Sequence, residues 1–450
     1  MQASMGLITD AALAVMPAEV QQSLTFLEQY QVWHILSQNS AATSCRDAAA
    51  RRQRLGMQGI PLYDELKSLC VVLYREDNSR YYCMLHSRAN ARINLTLVEK
   101  LLNASRPLAR LSAEELSHEF GAKYGTVNPF FMPSHFIHVF DADILNQYTA
   151  PHTMMTNAGE HTWALEFEPA ALINAVRQVS AETIVATIAE RIGKDHKLPS
   201  FGIITGNGPE SGMALWRYIN ETIRKQLSAD GRLHGDLSYP KVLIHSLPEM
   251  GLSMELAQRE DMVWQVIVNA LEQLCNNGVT HIALACNTTP YFTKRIRAFC
   301  QPHGVEFISI AEATEHYIRQ RQLDNITIIG IPAVAGLGDY SAYKSLAGLN
   351  IKAVSERVFS DLQEFGYLVK RLGDNEQDAK AMNKLQHIIN AGVETPRVLI
   401  ALTEISVFMQ RFPKFKGRIK NREIIDPLPI YGECLAECYL QALPQEQELI

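Results

Sequence analysis

The pattern of apolar and polar positions changes character near residues 176–200. Upstream, short apolar runs are separated by turn-forming residues: SLCVVLYRED, RYYCMLHS, HFIHVFDA and TWALEFEP. These predict several strands with few helices between them, an α+β or mainly-β unit. Arg177 to Arg191 is predicted helical, and IGKDHKLPS, with its Gly, Pro and charges, is predicted to be a linker. Downstream, the apolar runs FGIITG, KVLIHSL, HIALAC, EFISI, ITIIGI, IKAVS, RVLIAL and REIID alternate with amphipathic stretches such as MELAQREDMVWQVIVNALEQLCNNG. Apolar strands alternating with helices predict open, mostly parallel sheets. Eight such strands over residues 201–450 suit two similar α/β lobes better than one barrel. The predicted organisation is therefore an α+β domain over 1–176, a helix and linker over 177–200, and an α/β region over 201–450.

Composition supports this division and adds little chemistry. A chain of 450 residues is too long for one core, while 47% hydrophobic and 20% charged residues are ordinary for a globular protein. The net charge of −6 provides no global attraction to nucleic acid, although a local basic patch is compatible with it. Eight cysteines (Cys45, Cys70, Cys83, Cys275, Cys286, Cys300, Cys434, Cys438) lack the paired spacing of a zinc ribbon or a disulfide framework. The first residues show no basic start followed by a long apolar core, so no signal peptide is expected. No apolar run is long enough to span a bilayer. The expected setting is cytoplasmic, with reduced thiols.

Three downstream segments fit the carboxyl ends of parallel strands, where α/β folds collect ligands. They are Gly202 to Glu210 with Pro209 at a first helical position, Ala285 to Pro290, and Leu402-Thr403-Glu404. In the second, Thr289 is a candidate N-cap, and a thiol at Cys286 beside a helix N-terminus would favour thiolate. Asn287 and Thr288 supply polar groups, and free backbone N–H groups could hold a carboxylate. The competing reading of Cys286 is a small buried apolar residue. The Gly206–Gly212 glycines do not match a dinucleotide fingerprint: the spacing carries an extra residue and the next strand ends in His245-Ser246 rather than an acid. Cys434 and Cys438 would share a helix face in core packing. His135 and His138 would face opposite sides of a strand, which argues against a shared metal.

The stretches GIITGNGPESG, IHSLPEM, IALACNTTPYF, SIAEAT and IIDP, in this order, resemble the aspartate/glutamate racemase family from about Phe201 to the end. The resemblance implies two α/β lobes and cofactor-free proton transfer by one cysteine from each lobe. Cys286-Asn287-Thr288 matches the first cysteine motif, and the resemblance places Asn207, Asn287, Thr288 and Thr403 at a carboxylate-binding site, with Glu404 beside them. Leu402 stands at the position of the second cysteine. Leucine has no exchangeable proton, so it cannot serve as the second acid or base. SLPEMGLSMEL also lacks the arginine expected after the Pro-Glu step, and Gly330-Ile331 replaces a Gly-Thr turn. One-base chemistry at Cys286 remains open, with Thr403, Glu404, His245 or Tyr291 as candidate partners.

In the first 176 residues, ELKSLCVVLYREDNSRYYCMLHSRANARINLTLVEKLL, EFGAKYGTVNPF and TNAGEHTWALEFEPAALINA resemble a YbaK/ProX-type aminoacyl-tRNA editing domain over about Ala18 to Val176. The resemblance implies hydrolysis of wrongly charged aminoacyl-tRNA. It matches Lys67 to the family's lysine, Gly125, Asn128 and Pro129 to its Gly-Val-Ser-Pro-Phe loop (Asn128 replacing serine), and Asn157 and Gly159 to its late Asn-Ala-Gly step. The leading expectation is a two-domain enzyme of amino-acid metabolism, an editing-type domain before a racemase-type region built on Cys286. Trans-editing with a ligand-binding C-terminal region, and a non-catalytic amino-acid sensor, are the alternatives. Neither cofactor nor metal is expected. The expected partners are an amino acid or small carboxylate, the aminoacyl end of tRNA, and optionally a second copy of the chain.

Overall fold

The computed structural model describes residues 16–42, 44–52, 54, 59–130, 134–146, 152–191, 198–206, 208–233, 235–370, 375–411, 418–419 and 421–443. The chain divides into two compact units, residues 1–198 with 234–237 and 443–450, and residues 199–233 with 238–442. Among the described residues, no helix is long and apolar enough to cross a membrane.

The first unit is built on a five-stranded sheet whose centre is the antiparallel pair Leu66–Tyr74 and Arg80–Arg88. Arg80–Arg88 pairs parallel with Ile137–Asp141, which pairs parallel with Glu182–Ala186. Both faces are covered. Val71, Leu73, Cys83 and Leu85 pack with Val98, Ile137 and Val139 on one side. Cys70, Val72 and Met84 pack with Leu116, Val127 and Phe136 on the other. Burial on both faces explains why CVVLY reads as a continuous apolar run rather than an alternating one. A three-stranded antiparallel sheet of His34–Gln38, Trp163–Phe167 and Met154–Asn157 lies in the same unit. Trp163, Leu165 and Phe167 share a core with Val20 and Leu27 of the helix Ala18–Gln29.

The helix expected from Arg177 to Arg191 is corrected by the structure. The helix Pro169–Val179 ends there, and Glu182–Ala186 and Ala189–Arg191 are strands. Thr183, Ile184 and Val185 are β-branched, which favours the pleated state once a partner strand is available. Ile184 sits opposite Val139, and Val185 opposite Phe140.

The second unit contains the expected eight strands in two sheets. The first runs Val242–Ser246, Phe201–Thr205, His281–Leu284, Glu306–Ile308, all parallel. The second runs Ile351–Ala353, Ile326–Ile329, Arg397–Ile400, Arg422–Ile425, also parallel, with Arg418–Ile419 added antiparallel at its edge. Phe201–Thr205 and Ile326–Ile329 are buried along their whole length. Each fully buried isoleucine there contributes roughly 1.5–3 kcal/mol of burial free energy. After Phe201–Thr205 the chain turns through Gly206, at φ +141°. A Cβ at this position would lie 1.7 Å from the Leu247 carbonyl oxygen, so only glycine allows the two strand-end loops to touch. The helix Pro209–Ala229 follows, with Pro209 at its first position as the sequence predicts.

Candidate functional site

Lys67 projects from the start of the central Leu66–Tyr74 strand into a cavity of about 280 Å³. Gly125 and Asn157 line the same cavity, with Cys45, Arg52 and Glu65. The Lys67 ammonium donates to the Ala91 carbonyl at 2.5 Å. Burial lowers its pKa, and the nearby Arg110 adds to the effect. Lys67 also lines an adjoining cavity of about 680 Å³ with Arg92, Arg110 and Tyr124, a residue 67% exposed.

The Asn157 amide donates to the Val127 carbonyl at 3.3 Å and accepts from the Gly159 N–H at 2.9 Å. Asn128 is fully buried; its amide donates to the Asn157 carbonyl at 3.2 Å and its oxygen accepts from the Phe130 N–H at 3.1 Å. Asn128 thus braces the loop behind the cavity. Gly159, at φ +100°, passes so close to Glu19 that a Cβ would meet the Glu19 Cβ at 2.9 Å. Pro129 lines a different cavity, of about 570 Å³, with Phe130 and residues of the first helix.

His138 does not approach His135 as a ligand pair; its Nδ1 is 3.0 Å from His86 Nε2, and the two rings stack. Burial pushes His138 down to about 4, and burial, with His138 adjoining, holds His86 well below its ordinary value. Among the described residues, no three metal-ligating side chains form a cluster.

In the second unit, Cys286 follows the strand His281–Leu284 and is buried, with the Thr288 N–H donating to its sulfur at 3.4 Å. The Asn287 oxygen accepts from the Tyr343 hydroxyl at 2.5 Å, and Asn287 Nδ2 is buried without a hydrogen-bond partner among the described residues. The expected N-cap at Thr289 is corrected. Thr289 begins a 3-10 turn, Thr289–Phe292, its hydroxyl has no hydrogen-bond partner among the described residues, and the α-helix starts only at Thr293. Pro290 initiates the tighter turn, so the first N–H groups of the α-helix lie a full turn beyond the thiol loop.

Thr403 and Glu404 open the helix Thr403–Arg411 and line a cavity of about 420 Å³ with Gly206, Ser211, Ser246 and Lys370. Lys370 Nζ lies 3.3 Å from Glu404 Oε1, a cation that no motif pointed to. Cys286, Asn287 and Thr288 are not among the described residues lining this cavity, and Asn207 lies outside the described residues. Leu402 is buried in the core with Ile400 and Ile405. The Tyr291 hydroxyl donates to Glu260 at 3.1 Å, while His245 Nδ1 has no hydrogen-bond partner among the described residues. Cys434 and Cys438, both half-buried, hydrogen-bond to each other on the helix Pro427–Ala442.

Residues 41–175 match the family model of the aminoacyl-tRNA editing domain. The first unit therefore carries an editing domain. Comparison with curated proteins gives no match. Solved structures similar to the chain include aspartate racemase of Picrophilus torridus, at 18% identity and TM-score 0.40, covering 56% of this chain and 97% of that one. An aspartate racemase homologue from Pyrococcus horikoshii gives 19% identity and TM-score 0.38, covering 53% and 98%. A chain described as a trans-editing enzyme for prolyl tRNA synthetase gives 19% and 0.31, covering 39% and 99%.

Every residue named above at the smaller cavity of the editing domain lies inside the matched segment. Of the six positions expected there, Lys67, Gly125 and Asn157 line it, while Asn128 and Gly159 brace the Asn157 loop behind it. Arg52 and Glu65 were missed. A strand period of two would have flagged Glu65, which precedes Lys67 by two residues and so shares its face.

Proposed function

We propose that the editing domain hydrolyses the ester bond of an aminoacyl-tRNA, with Lys67 as its cationic anchor. The observation that carries this reading is the convergence of Lys67, Gly125 and Asn157 on one small cavity within the matched segment. An ester is already activated, so a held water and a cation beside the developing oxyanion or the adjacent phosphate suffice for hydrolysis. The adjoining larger cavity supports the same reading. Arg92, Arg110 and Lys67 offer phosphate contacts, and the exposed Tyr124 ring offers a stacking face for a base. This local cluster, rather than the net charge of −6, would govern capture of a tRNA end. Turnover of mischarged tRNA that disappears in Lys67→Ala and persists in Cys286→Ala is the expected result. Equal turnover in wild type and Lys67→Ala would refute it.

A second reading concerns the C-terminal region: a small carboxylate bound near Cys286, whose thiol exchanges a single proton. The Asn287 Nδ2 atom, one residue after the thiol and buried without a hydrogen-bond partner among the described residues, favours it, because a ligand carboxylate would satisfy that donor. Two-base racemisation is not part of the proposal, since Leu402 carries no proton to return. Incubation with amino acids of both hands in heavy water should give Cys286-dependent α-deuterium exchange. Exchange that survives Cys286→Ala would rule the thiol out.

A further inference from the structure

Glu65 and Lys67 line the same cavity of the editing domain. The Glu65 side chain is buried, and one carboxylate oxygen, Oε2, accepts from Arg52 Nη1 at 2.7 Å. The other, Oε1, has no hydrogen-bond partner among the described residues. A buried carboxylate oxygen left unpaired is costly, and a purely structural ion pair would be expected to satisfy both oxygens. The groups facing this carboxylate are Arg52 and Cys45 at the two ends of the helix Cys45–Arg51, and Arg54 and Asp64. Lys67, on the strand, faces the same Cys45. Burial outweighs the two arginines and pushes the Glu65 carboxyl up to about 7. At neutral pH such a group is substantially ionised and still basic enough to take a proton from water.

We propose that Glu65 is the general base of aminoacyl-ester hydrolysis, activating the attacking water through Oε1 while Arg52 holds Oε2. The inference rests on the ester-hydrolase reading given above. As the water oxygen bonds to the ester carbonyl carbon, one of its protons passes to Glu65. The tetrahedral intermediate then collapses, the bond from that carbon to the ribose oxygen breaks, and the leaving oxygen takes the proton from Glu65. The products are a free amino acid and uncharged tRNA, and the carboxylate is regenerated. Lys67 keeps a separate task, at the junction of the two cavities.

The test uses the full-length protein and tRNA charged separately with alanine, serine and cysteine, whose side chains are small enough for this cavity. Wild-type kcat/KM, corrected for spontaneous hydrolysis, should rise about tenfold per pH unit below about pH 7 and level off above it. Glu65→Gln keeps the size and an acceptor for Arg52, and should lose about 10²-fold or more in kcat, with KM nearly unchanged and the pH limb gone. Glu65→Asp should recover part of the rate. A Glu65→Gln rate within roughly threefold of wild type, or a wild-type profile flat from about pH 5.5 to 8, overturns the proposal. If Glu65→Gln does not fold, the wild-type profile and the Glu65→Asp rate decide. Absence of wild-type hydrolysis on all three esters overturns the ester-hydrolase reading and this inference with it. Hydrolysis that persists in a folded Glu65→Gln overturns this inference alone.

Discussion

Replacing Lys67 by methionine removes the cation while keeping most of the stem volume. The Lys67 ammonium is partly buried, donates to Ala91, and is held below its ordinary pKa by burial. Two stability terms oppose each other. Loss of the charge-assisted hydrogen bond costs about 1.5–3 kcal/mol. Removal of a partly desolvated charge returns a comparable amount, so the net change should stay within about 1 kcal/mol. The effect on turnover should be far larger. A donor aimed at developing negative charge in a water-poor site is worth about 3–4 kcal/mol, or roughly 10²–10³-fold in rate. The assay follows release of amino acid from labelled aminoacyl-tRNA, with thermal melting of the same sample as control. Lys67→Arg should restore the charge but only part of the rate, because a planar guanidinium cannot reproduce a compact ammonium at the Ala91 carbonyl. A methionine variant that melts like wild type and hydrolyses within roughly threefold of it would refute the electrostatic role.

Four further outcomes can be checked. His138 is held neutral in the fold, with its pKa pushed down to about 4, so the unfolded chain binds more protons between pH 4 and its ordinary value near 6.5. Stability should therefore fall as pH drops through that window, by about 3 kcal/mol from this residue, and His138→Gln should flatten the urea midpoint against pH. Gly206→Ala should cost more than about 3 kcal/mol or prevent folding, because its Cβ would collide with the Leu247 carbonyl. Gly278→Ala, at φ +71° with open space around it, should cost only about 1 kcal/mol. Tyr343→Phe removes the donor to Asn287 Oδ1 in a fully buried setting and should lower unfolding free energy by about 1–3 kcal/mol, measured by denaturant titration.

What could be read from the sequence depended on whether local pattern or tertiary partner set the outcome. The parallel strands of the second unit were legible because buried runs such as Ile326–Ile329 leave no polar alternative. Glu182–Ala186 was illegible for the opposite reason. Val176, Val179, Ile184 and Ile188 recur at near-helical spacing, with no Gly or Pro to interrupt them, and only the Ile137–Asp141 strand turns the segment into sheet. Arg418–Ile419, two residues long, carries too little pattern to register. The same rule governs the candidate sites. Lys67, Gly125 and Asn157 could be named because a motif orders them along the chain. Arg52 could not, since its importance arises where the end of the Cys45–Arg51 helix meets Glu65. Lys370 escaped notice in the same way: thirty-odd residues separate it from Glu404, and only the packing of two helices makes them an ion pair.

That contrast changes how the two candidate chemistries compare. At Cys286 the motif residues are adjacent in sequence, yet the cavity carrying Thr403, Glu404 and Lys370 is lined without the thiol among the described residues. In the editing domain the motif residues are far apart in sequence and line one cavity, with a buried carboxylate whose Oε1 has no hydrogen-bond partner among the described residues. Chemistry requires convergence in space rather than proximity along the chain. Lys67 and Glu65, two residues before it, therefore form a better assembled candidate site than Cys286, although the cysteine is the more conspicuous signal in the sequence.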